Sequence, residues 1–239
     1  MLSLNPSSKG HHFGNFHNYY EFHETLSRIT VILEGVVVKI WRALDCPDTF
    51  TILDIGCNEG NLTAEMLRLV QQQLPETVTV VAVGIDIDDA LIERARLKYA
   101  DTTMKFYTVN CMVPAEVTSF INSISIPTFS IVCAYSITMW IHMNFGDTGL
   151  NDFLVLLGTL SANAVIVEPQ KWKSYRNAMQ RCRRLKIAEL PYYQSLKIHS
   201  VEEECVRVLS ETFAMKEMQR IQCTEWGREL LILCKLDEK

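Results

Sequence analysis

The stretch FTILDIGCNEG (residues 50–60) decides the fold class, because an apolar run of strand length ends there in a loop with two glycines. An apolar run that stops at a glycine is typical of a buried strand, and the residues after it have the spacing of an amphipathic helix. The run TVTVVAVGID (77–86) predicts a second buried strand, which ends in an acidic residue. The chain thus has the strand–helix–strand unit of an α/β protein.

The same alternation continues along the chain. The sequence predicts further strands at 104–110, 129–136 and 162–169, and helices at 61–74, 90–99 and 150–160. Two candidate strands near 213–221 and 229–235, with Gly227 at the turn, indicate a terminal hairpin. We therefore expect an α/β fold with a mostly parallel seven-stranded sheet, a C-terminal antiparallel hairpin and helices on both faces.

The N-terminal part differs from the rest in composition. Residues 1–12 are polar and predict a flexible tail. An aromatic cluster, FGNFHNYYEFH (13–23), and a segment with helical spacing from Ile29 to Ile40 come before the first strand. We expect one domain over residues 13–239, in which residues 13–46 form an aromatic and helical lid.

Composition excludes several classes of protein. The chain has 239 residues, of which 48% are hydrophobic, so it can bury a core and is not disordered over most of its length. The N-terminal residues lack the apolar core of a secretory signal, and no apolar stretch approaches the length of a membrane span. The eight cysteines contain no CxxC pair, which favours reduced thiols in the cytoplasm, with the nucleus as the alternative, over zinc binding or a structural disulfide.

Polar residues follow the predicted strands, where ligands bind in open α/β sheets. Gly56 allows a tight turn, and Asp86 ends the second strand, where its carboxylate can accept hydrogen bonds from two ribose hydroxyls. The glycine pattern of dinucleotide-binding folds is missing, because Cys57 and Asn58 occupy that space. A sulfonium ligand with an amino-acid end suits Asn58 and the nearby Asp54 better than a dinucleotide does.

These residues resemble known families. DIGCNEG with GIDID resembles the class I S-adenosylmethionine-dependent methyltransferases, which have a Rossmann-like fold. FGNFHNYY (13–20), SITMWIHMNFGDTGL (136–150) and VEPQKWKSY (167–175) resemble the bicoid-interacting-protein-type RNA 5′-phosphate methyltransferases. The resemblance is strongest to the branch that methylates 5′-monophosphate ends of histidine tRNA and microRNA precursors.

The resemblance implies a cofactor site for S-adenosylmethionine, with S-adenosylhomocysteine as the product and no metal. Its implied residues are Arg28 at the cofactor carboxylate, Asp54, Gly56, Asn58 and Tyr135 at the methionine part, Asp86 at the ribose, and Asn110 with Cys111 at the adenine. Asn110 stands where the family has aspartate, so we expect weaker cofactor binding. Core packing is the alternative role for Cys111.

The resemblance also implies an acceptor side formed by Tyr19, Tyr20, His142, Asn144 and Trp172. A phosphate oxygen is already anionic, so methyl transfer to it needs positioning and hydrogen-bond donors more than a general base. We expect His142 to be such a donor, with a purely structural histidine as the alternative. Met139 stands where the triphosphate-capping branch has lysine, which favours a monophosphate end.

A basic segment, KWKSYRNAMQRCRRLK (171–186), follows the last predicted parallel strand. It contains seven Lys or Arg and no acid, in a chain whose net charge is −5, so the rest of the chain carries −12. We expect residues 171–200 to be an RNA-facing insertion in which the basic side chains bind phosphates and Trp172 and Tyr175 stack on bases. The basic residues expected to bind RNA are Lys173, Arg176, Arg181, Arg183 and Arg184.

Other functions remain consistent with the same residues. A small-molecule methyltransferase would use the same cofactor site, and an RNA-binding module could keep the fold without turnover. The basic segment could also be an ordinary solvated helix face or a nuclear import signal. The basic segment favours RNA as the partner, and we expect a monomer that binds an RNA 5′-monophosphate end and no membrane.

Overall fold

The computed structural model describes residues 35–186, 188–222 and 228–235. The helices, in chain order, are α1 (Val36–Ala43), α2 (Asn61–Gln73), α3 (Asp89–Lys98), α4 (Pro114–Ile124), α5 (Thr138–Leu160), α6 (Trp172–Leu185) and α7 (Val201–Phe213). The strands are β1 (Thr49–Ile55), β2 (Thr79–Asp86), β3 (Lys105–Thr108), β4 (Phe129–Tyr135), β5 (Ser161–Glu168), β6 (Lys216–Gln222) and β7 (Glu229–Cys234). A 3₁₀ turn, Tyr193–Ser195, lies between α6 and α7.

The seven strands form one sheet in the order β3-β2-β1-β4-β5-β7-β6. The first five strands in that order are parallel, with β1 paired to β2 from Thr49↔Thr79 to Ile55↔Ile85. Strand β7 is antiparallel to both of its neighbours, β5 and β6. The predicted α/β fold with a mostly parallel seven-stranded sheet and an antiparallel C-terminal hairpin is therefore confirmed.

Helices cover the sheet on both faces, and each face has its own apolar core. Side chains of α1, α2 and α3 pack against one face, whereas α4, α5, α6 and α7 pack against the other. Strand β4 is buried along its whole length, because it runs through the middle of the sheet between these two layers. This rigid frame brings the carboxyl ends of the parallel strands to one edge, where a ligand site is expected.

Several helix predictions need correction. Helix α5 begins at Thr138, twelve residues before the predicted start, and it is broken at Gly146, whose φ of 74° and ψ of −174° are not helical. That glycine hid the regular spacing in the sequence. Helix α7 was not predicted, and the strand proposed to begin near residue 213 begins at Lys216 instead, since Phe213 ends the helix. Helix α4, which opens at Pro114, was also missed.

Part of the predicted lid and site lies outside the described residues. This applies to the tail 1–12, to the lid as far as residue 34, to Tyr19, Tyr20 and Arg28, and to the turn at Gly227. The domain boundaries and the roles of these residues stay predictions. Within the described ranges, no helix combines the length and apolar character needed to cross a bilayer.

Candidate active site

The turn after β1 is held against the end of β2 and the start of α5. Gly56 has a φ of +80°, and a Cβ atom placed on it would lie 2.4 Å from Cγ2 of Ile137, the residue before α5. The backbone N–H groups of Gly56 and Cys57 both donate to the carbonyl oxygen of Ile85, at 2.8 and 3.1 Å. The turn therefore has room only for glycine and is fixed to the end of β2.

The acid that ends β2 organises the loops around it. Asp86 Oδ2 accepts the backbone N–H of Asn58 at 3.0 Å, and Oδ1 accepts that of Asp88 at 2.9 Å. The side chain is 8% exposed, and burial raises the pKa of Asp86 to about 6. Each carboxylate oxygen keeps a second acceptor position, so an ionised Asp86 can hold the two hydroxyls of a ribose.

The residues around the β1 turn are also fixed. Asp54 is buried, and its Oδ2 accepts a hydrogen bond from Thr63 Oγ1 at 2.6 Å, which ties α2 to β1. Burial raises the pKa of Asp54 to about 7, although the Thr63 hydrogen bond acts in the opposite direction. Asn58 has a left-handed backbone with φ of +53°, and its Oδ1 accepts the N–H of Glu59 at 2.8 Å.

Asn110 and Cys111, the residues expected to flank the adenine, follow the end of β3. The Asn110 Oδ1 atom accepts the N–H of Met112 at 3.0 Å, and the Asn110 N–H donates to Glu116 Oε2 at 2.7 Å. The amide oxygen therefore already has one donor and offers one further lone pair to a ligand. Cys111 is partly buried and packs against the core of the α4–α7 layer, and burial raises its pKa to about 12. It stays a neutral thiol and fits both proposed roles.

Tyr135, at the end of β4, lies in the core on the α1–α3 side. It is 6% exposed, and its hydroxyl donates to Met66 Sδ at 3.3 Å. Its contact with the methionine part of a cofactor stays a prediction.

A buried polar network at the ends of β4 and β5 was not predicted from the sequence. Ser136 Oγ donates to Glu168 Oε1 at 2.7 Å, and Arg228 Nη1 donates to both atoms, at 2.7 and 3.1 Å. Glu168 is fully buried. An acid at the end of the apolar run ANAVIV was the only available signal, because the partner Arg228 comes from a distant part of the chain.

Gln170 links the end of β5 to the start of α5. Its Oε1 accepts hydrogen bonds from Thr138 Oγ1 and from the Met139 N–H, both at 3.0 Å, and its Nε2 donates to the Ser136 carbonyl. Met139 is 4% exposed and packs in the core. Gln170 thus connects the ends of β4 and β5 through its side chain, as Asp86 connects the end of β2 to the loop after β1.

His142 is completely buried, and both of its ring nitrogens have partners. Nε2 lies 2.8 Å from Asp147 Oδ1, and Nδ1 lies 3.0 Å from the Tyr175 hydroxyl. Because an ionised carboxylate can only accept, Nε2 carries the proton and Nδ1 accepts from Tyr175. Burial lowers the pKa of His142, against the opposing effect of Asp147. These contacts match a structural histidine, and its role as a phosphate donor stays a prediction.

Asn144, the other acceptor-side residue on α5, is partly exposed. Its Nδ2 donates to the carbonyl of Trp140 one turn earlier, at 2.8 Å. This bond holds the amide along the helix, and its contact with substrate stays a prediction.

Helix α6 has one apolar face and one basic face. Tyr175, Ala178, Met179 and Cys182 are buried, whereas the exposed residues include Lys173, Arg176, Arg183 and Arg184. Arg181 is partly buried, and Arg183 pairs with Glu189 at 2.8 Å. The basic residues expected to face RNA thus lie mostly on one exposed surface.

The two aromatic residues of this segment differ in their exposure. Trp172 is partly exposed but packs against Tyr175, Tyr193 and His199, with ring centroids 4.7, 5.9 and 4.4 Å away. Tyr175 is fully buried. The prediction that Tyr175 stacks on RNA bases is wrong, because the apolar face of α6 places its ring in the core.

The sheet order, the glycine turn after β1 and the buried acid after β2 define a class I methyltransferase fold. The crystal structure of magnesium protoporphyrin IX methyltransferase from Synechocystis PCC 6803, with bound SAH, is similar to it with a TM-score of 0.51. The sequences are 12% identical, and the match covers 85% of this chain and 81% of that one.

The family is shown by sequence. A family model described as Bicoid-interacting protein 3 (Bin3) matches residues 129–235. A pre-miRNA 5′-monophosphate methyltransferase of Xenopus laevis is 34% identical over 233 residues, which cover 92% of this chain and 91% of the frog protein. An RNA 5′-monophosphate methyltransferase of Homo sapiens is 31% identical, over 92% of this chain and 79% of the human protein. The chain belongs to the Bin3 family.

Proposed function

We propose that this protein transfers a methyl group from S-adenosylmethionine to the 5′-monophosphate of an RNA. The observation that carries the proposal is the similarity to the frog protein over nine tenths of both chains. That relative is named for this reaction. Similarity of that extent includes the cofactor edge of the sheet and the basic helix α6, so one activity accounts for both.

The described residues fit the cofactor. Asp86 has acceptor positions for a ribose, and the glycine at position 56 lets Ile137 pack directly against the turn that would border the methionine part. Asn110 and Cys111 follow β3 at the same edge, where an adenine would lie beside them. Arg28 is proposed for the cofactor carboxylate.

The proposed reaction requires the protein mainly to position the phosphate relative to the methyl group. The bound cofactor supplies a methyl group on a positively charged sulfur. Transfer of that methyl group to a phosphate oxygen would give a methyl phosphate ester and leave the cofactor as a neutral thioether. The nucleophile is anionic before the reaction, so the protein has no proton to remove. Its residues hold the phosphate in line and exclude water, and Tyr19, Tyr20 and Asn144 are proposed for this task.

The exposed face of α6 is proposed to bind the RNA backbone. Helix α6 starts four residues after Glu168, the last residue of β5, so its basic face begins at the ligand edge of the sheet. Lysine and arginine there give salt-dependent affinity for any RNA backbone. Preference for a monophosphate is proposed from the names of the relatives and from the apolar Met139.

Methylation of two RNAs, each prepared with three different 5′ ends, tests the function. A precursor-microRNA hairpin and a histidine tRNA, each with a 5′-hydroxyl, a 5′-monophosphate or a 5′-triphosphate, are incubated with labelled S-adenosylmethionine. We expect label only in the monophosphate forms. Equal labelling of the 5′-hydroxyl forms would refute a phosphate acceptor. Tight RNA binding without label would favour a non-catalytic RNA-binding module. If the protein neither labels nor binds either RNA, a small-molecule substrate is favoured.

A charge-removal variant tests the RNA surface. Lys173→Ala with Arg176→Ala should weaken RNA binding roughly tenfold and reduce the dependence of log affinity on log salt concentration by about 2, because two phosphate contacts are lost. Affinity for S-adenosylhomocysteine should not change. Fluorescence anisotropy over a salt series measures the first effect, and calorimetry the second.

The matched control is Arg68→Ala with Arg207→Ala. It removes the same charge from α2 and α7, where both arginines form exposed pairs with glutamates one turn away. Such pairs contribute little to stability. If the control weakens RNA binding as much as the α6 variant does, net charge and not the α6 surface is responsible.

A further inference from the structure

Two aromatic side chains are exposed beside the break in α5. Phe145 is 37% exposed and Tyr192 is 45% exposed. The Tyr192 ring lies against Gly146, since a Cβ atom on that glycine would come within 3.0 Å of its Cδ1. The Tyr192 N–H also donates to the Met143 carbonyl at 3.2 Å. The two rings therefore flank one short stretch of α5 and are partly exposed to solvent.

The segment that carries Tyr192 is firmly held. Asp147, just after the break, accepts the backbone N–H groups of Lys197 at 3.0 Å and of Ile198 at 3.2 Å. The next residue, Tyr193, packs against Trp172, the first residue of α6. Tyr192 is thus fixed between α5 and the basic helix, and little conformational entropy is lost when a ligand stacks on it.

The surroundings of Tyr192 are suited to a nucleic acid. Lys197 is exposed on the same segment, and the exposed Arg183 is close enough to Tyr193 for an electrostatic interaction between the two. The nearby acids are engaged, because Glu189 pairs with Arg183 and Asp147 with His142. Flat aromatic faces bordered by cations are the usual means of binding unpaired or terminal bases without reading their sequence.

We propose that Tyr192, with Phe145 beside it, stacks on the 5′-terminal base of the RNA whose phosphate is methylated. Met143, which receives the Tyr192 N–H, is four residues after Met139, or about 6 Å along the helix from the ligand edge of the sheet. That is the scale of one nucleotide, so a phosphate at the edge brings its own base to this ring. The proposal rests on the proposed function and adds the base contact to it.

The test combines a protein change with an RNA change. Tyr192→Leu keeps an apolar side chain over Gly146 but removes the aromatic face, and a 5′-phosphorylated RNA without its first base removes the partner. Each change alone should lower kcat/KM about tenfold, mainly through KM, because one stacked base is lost. Both changes together should cost no more than one. Independent, multiplied losses would show that ring and base do not meet.

Controls separate the alternatives. Tyr192→Phe should behave as the unchanged protein, and Leu97→Ala removes a side chain that is 80% exposed on α3, in the other helical layer, without affecting KM. If Tyr192→Leu does not fold, a fluorescence measurement on the unchanged protein replaces it. The first base of the RNA is 2-aminopurine, and stacking on Tyr192 should quench its fluorescence when the RNA binds. Absence of quenching overturns the proposal. If the protein methylates the intact and the abasic RNA with equal kcat/KM, the stacking proposal is refuted but the proposed function stands. If it methylates no RNA, the proposed function itself is refuted.

Discussion

Asp86→Ala is expected to abolish measurable cofactor binding. The change removes the acceptor for two ribose hydroxyls and leaves the N–H groups of Asn58 and Asp88 without their partner. A hydrogen bond to a charged group contributes about 1.5–3 kcal/mol, so two of them correspond to a loss of affinity of about two to four powers of ten. Calorimetry with S-adenosylhomocysteine measures it. Unchanged affinity would mean that the pocket is assigned to the wrong residues.

The pH dependence of S-adenosylhomocysteine affinity shows whether the Asp86 carboxylate is the group that binds the cofactor. Since the pKa of Asp86 is raised to about 6, its carboxylate is protonated below that pH and accepts fewer hydrogen bonds. Cofactor affinity should therefore fall as the pH falls through 6. Asp86→Asn keeps one acceptor oxygen and should show weaker binding without this pH dependence. Asp54 has a pKa of about 7 and could contribute to the same pH dependence. Asp54→Asn is the control, and the fall in affinity near pH 6 should persist in this variant.

Protonation of Asp86 does not itself destabilise the fold as the pH falls. A carboxyl group whose pKa is higher in the folded than in the unfolded protein contributes most stability at low pH. The contribution of Asp86 is fully present below its ordinary pKa of 3.8 and is lost as the pH rises through about 6. Its effects on stability and on cofactor affinity thus have opposite signs, and thermal melting beside calorimetry distinguishes them.

Gly56→Ala is the second change with a large expected effect. An alanine there would have a left-handed backbone and a Cβ 2.4 Å from Ile137 Cγ2. The left-handed conformation costs about 1–2 kcal/mol, and forcing an extra methyl group into packed atoms costs about 1–3 kcal/mol. We expect a fall in Tm on the order of 10 °C, measured by calorimetric melting, together with loss of cofactor binding.

The chain offers a control that separates the two causes. Gly35 has nearly the same φ, +78°, but no atom within 4 Å of the position of an added Cβ. Gly35→Ala should therefore show only the backbone cost. Adding Ile137→Ala to Gly56→Ala relieves the clash and should recover part of the cofactor affinity. Equal effects at Gly35 and Gly56 would contradict the close approach of Ile137.

The sheet and the part of the candidate site formed by β1 and β2 could be predicted, because the sequence patterns that indicate them lie within short stretches of the chain. Strands β1 and β2 are apolar runs that end at Gly56 and Asp86, and a residue that ends a parallel strand necessarily lies at the ligand edge. The Asp86 contacts to Asn58 and Asp88 lie in the loops that follow these strands. For this part of the site, order along the chain determines position in space.

The rest depends on contacts between distant residues. Ser136, Glu168 and Arg228 meet only because β7 pairs with β5 in one register. The surroundings of His142 could not be predicted for the same reason, since the Nδ1 partner Tyr175 lies on α6 and the burial of the ring depends on how α6 packs on α5. The break at Gly146 likewise removed the periodicity that would have revealed the start of α5.

The position of β7 has a consequence for synthesis of the protein in the cell. Among the described strands, β7 leaves the ribosome last, yet it lies inside the sheet between β5 and β6. Until it emerges, the nascent chain exposes the unpaired edge of β5, and such edges promote aggregation. The same late segment carries Arg228 to Ser136 and Glu168. We therefore expect chains stalled before residue 228 to depend on chaperones and to gain no protection from the cofactor, which would make emergence of β7 the step that commits the enzyme to its native state.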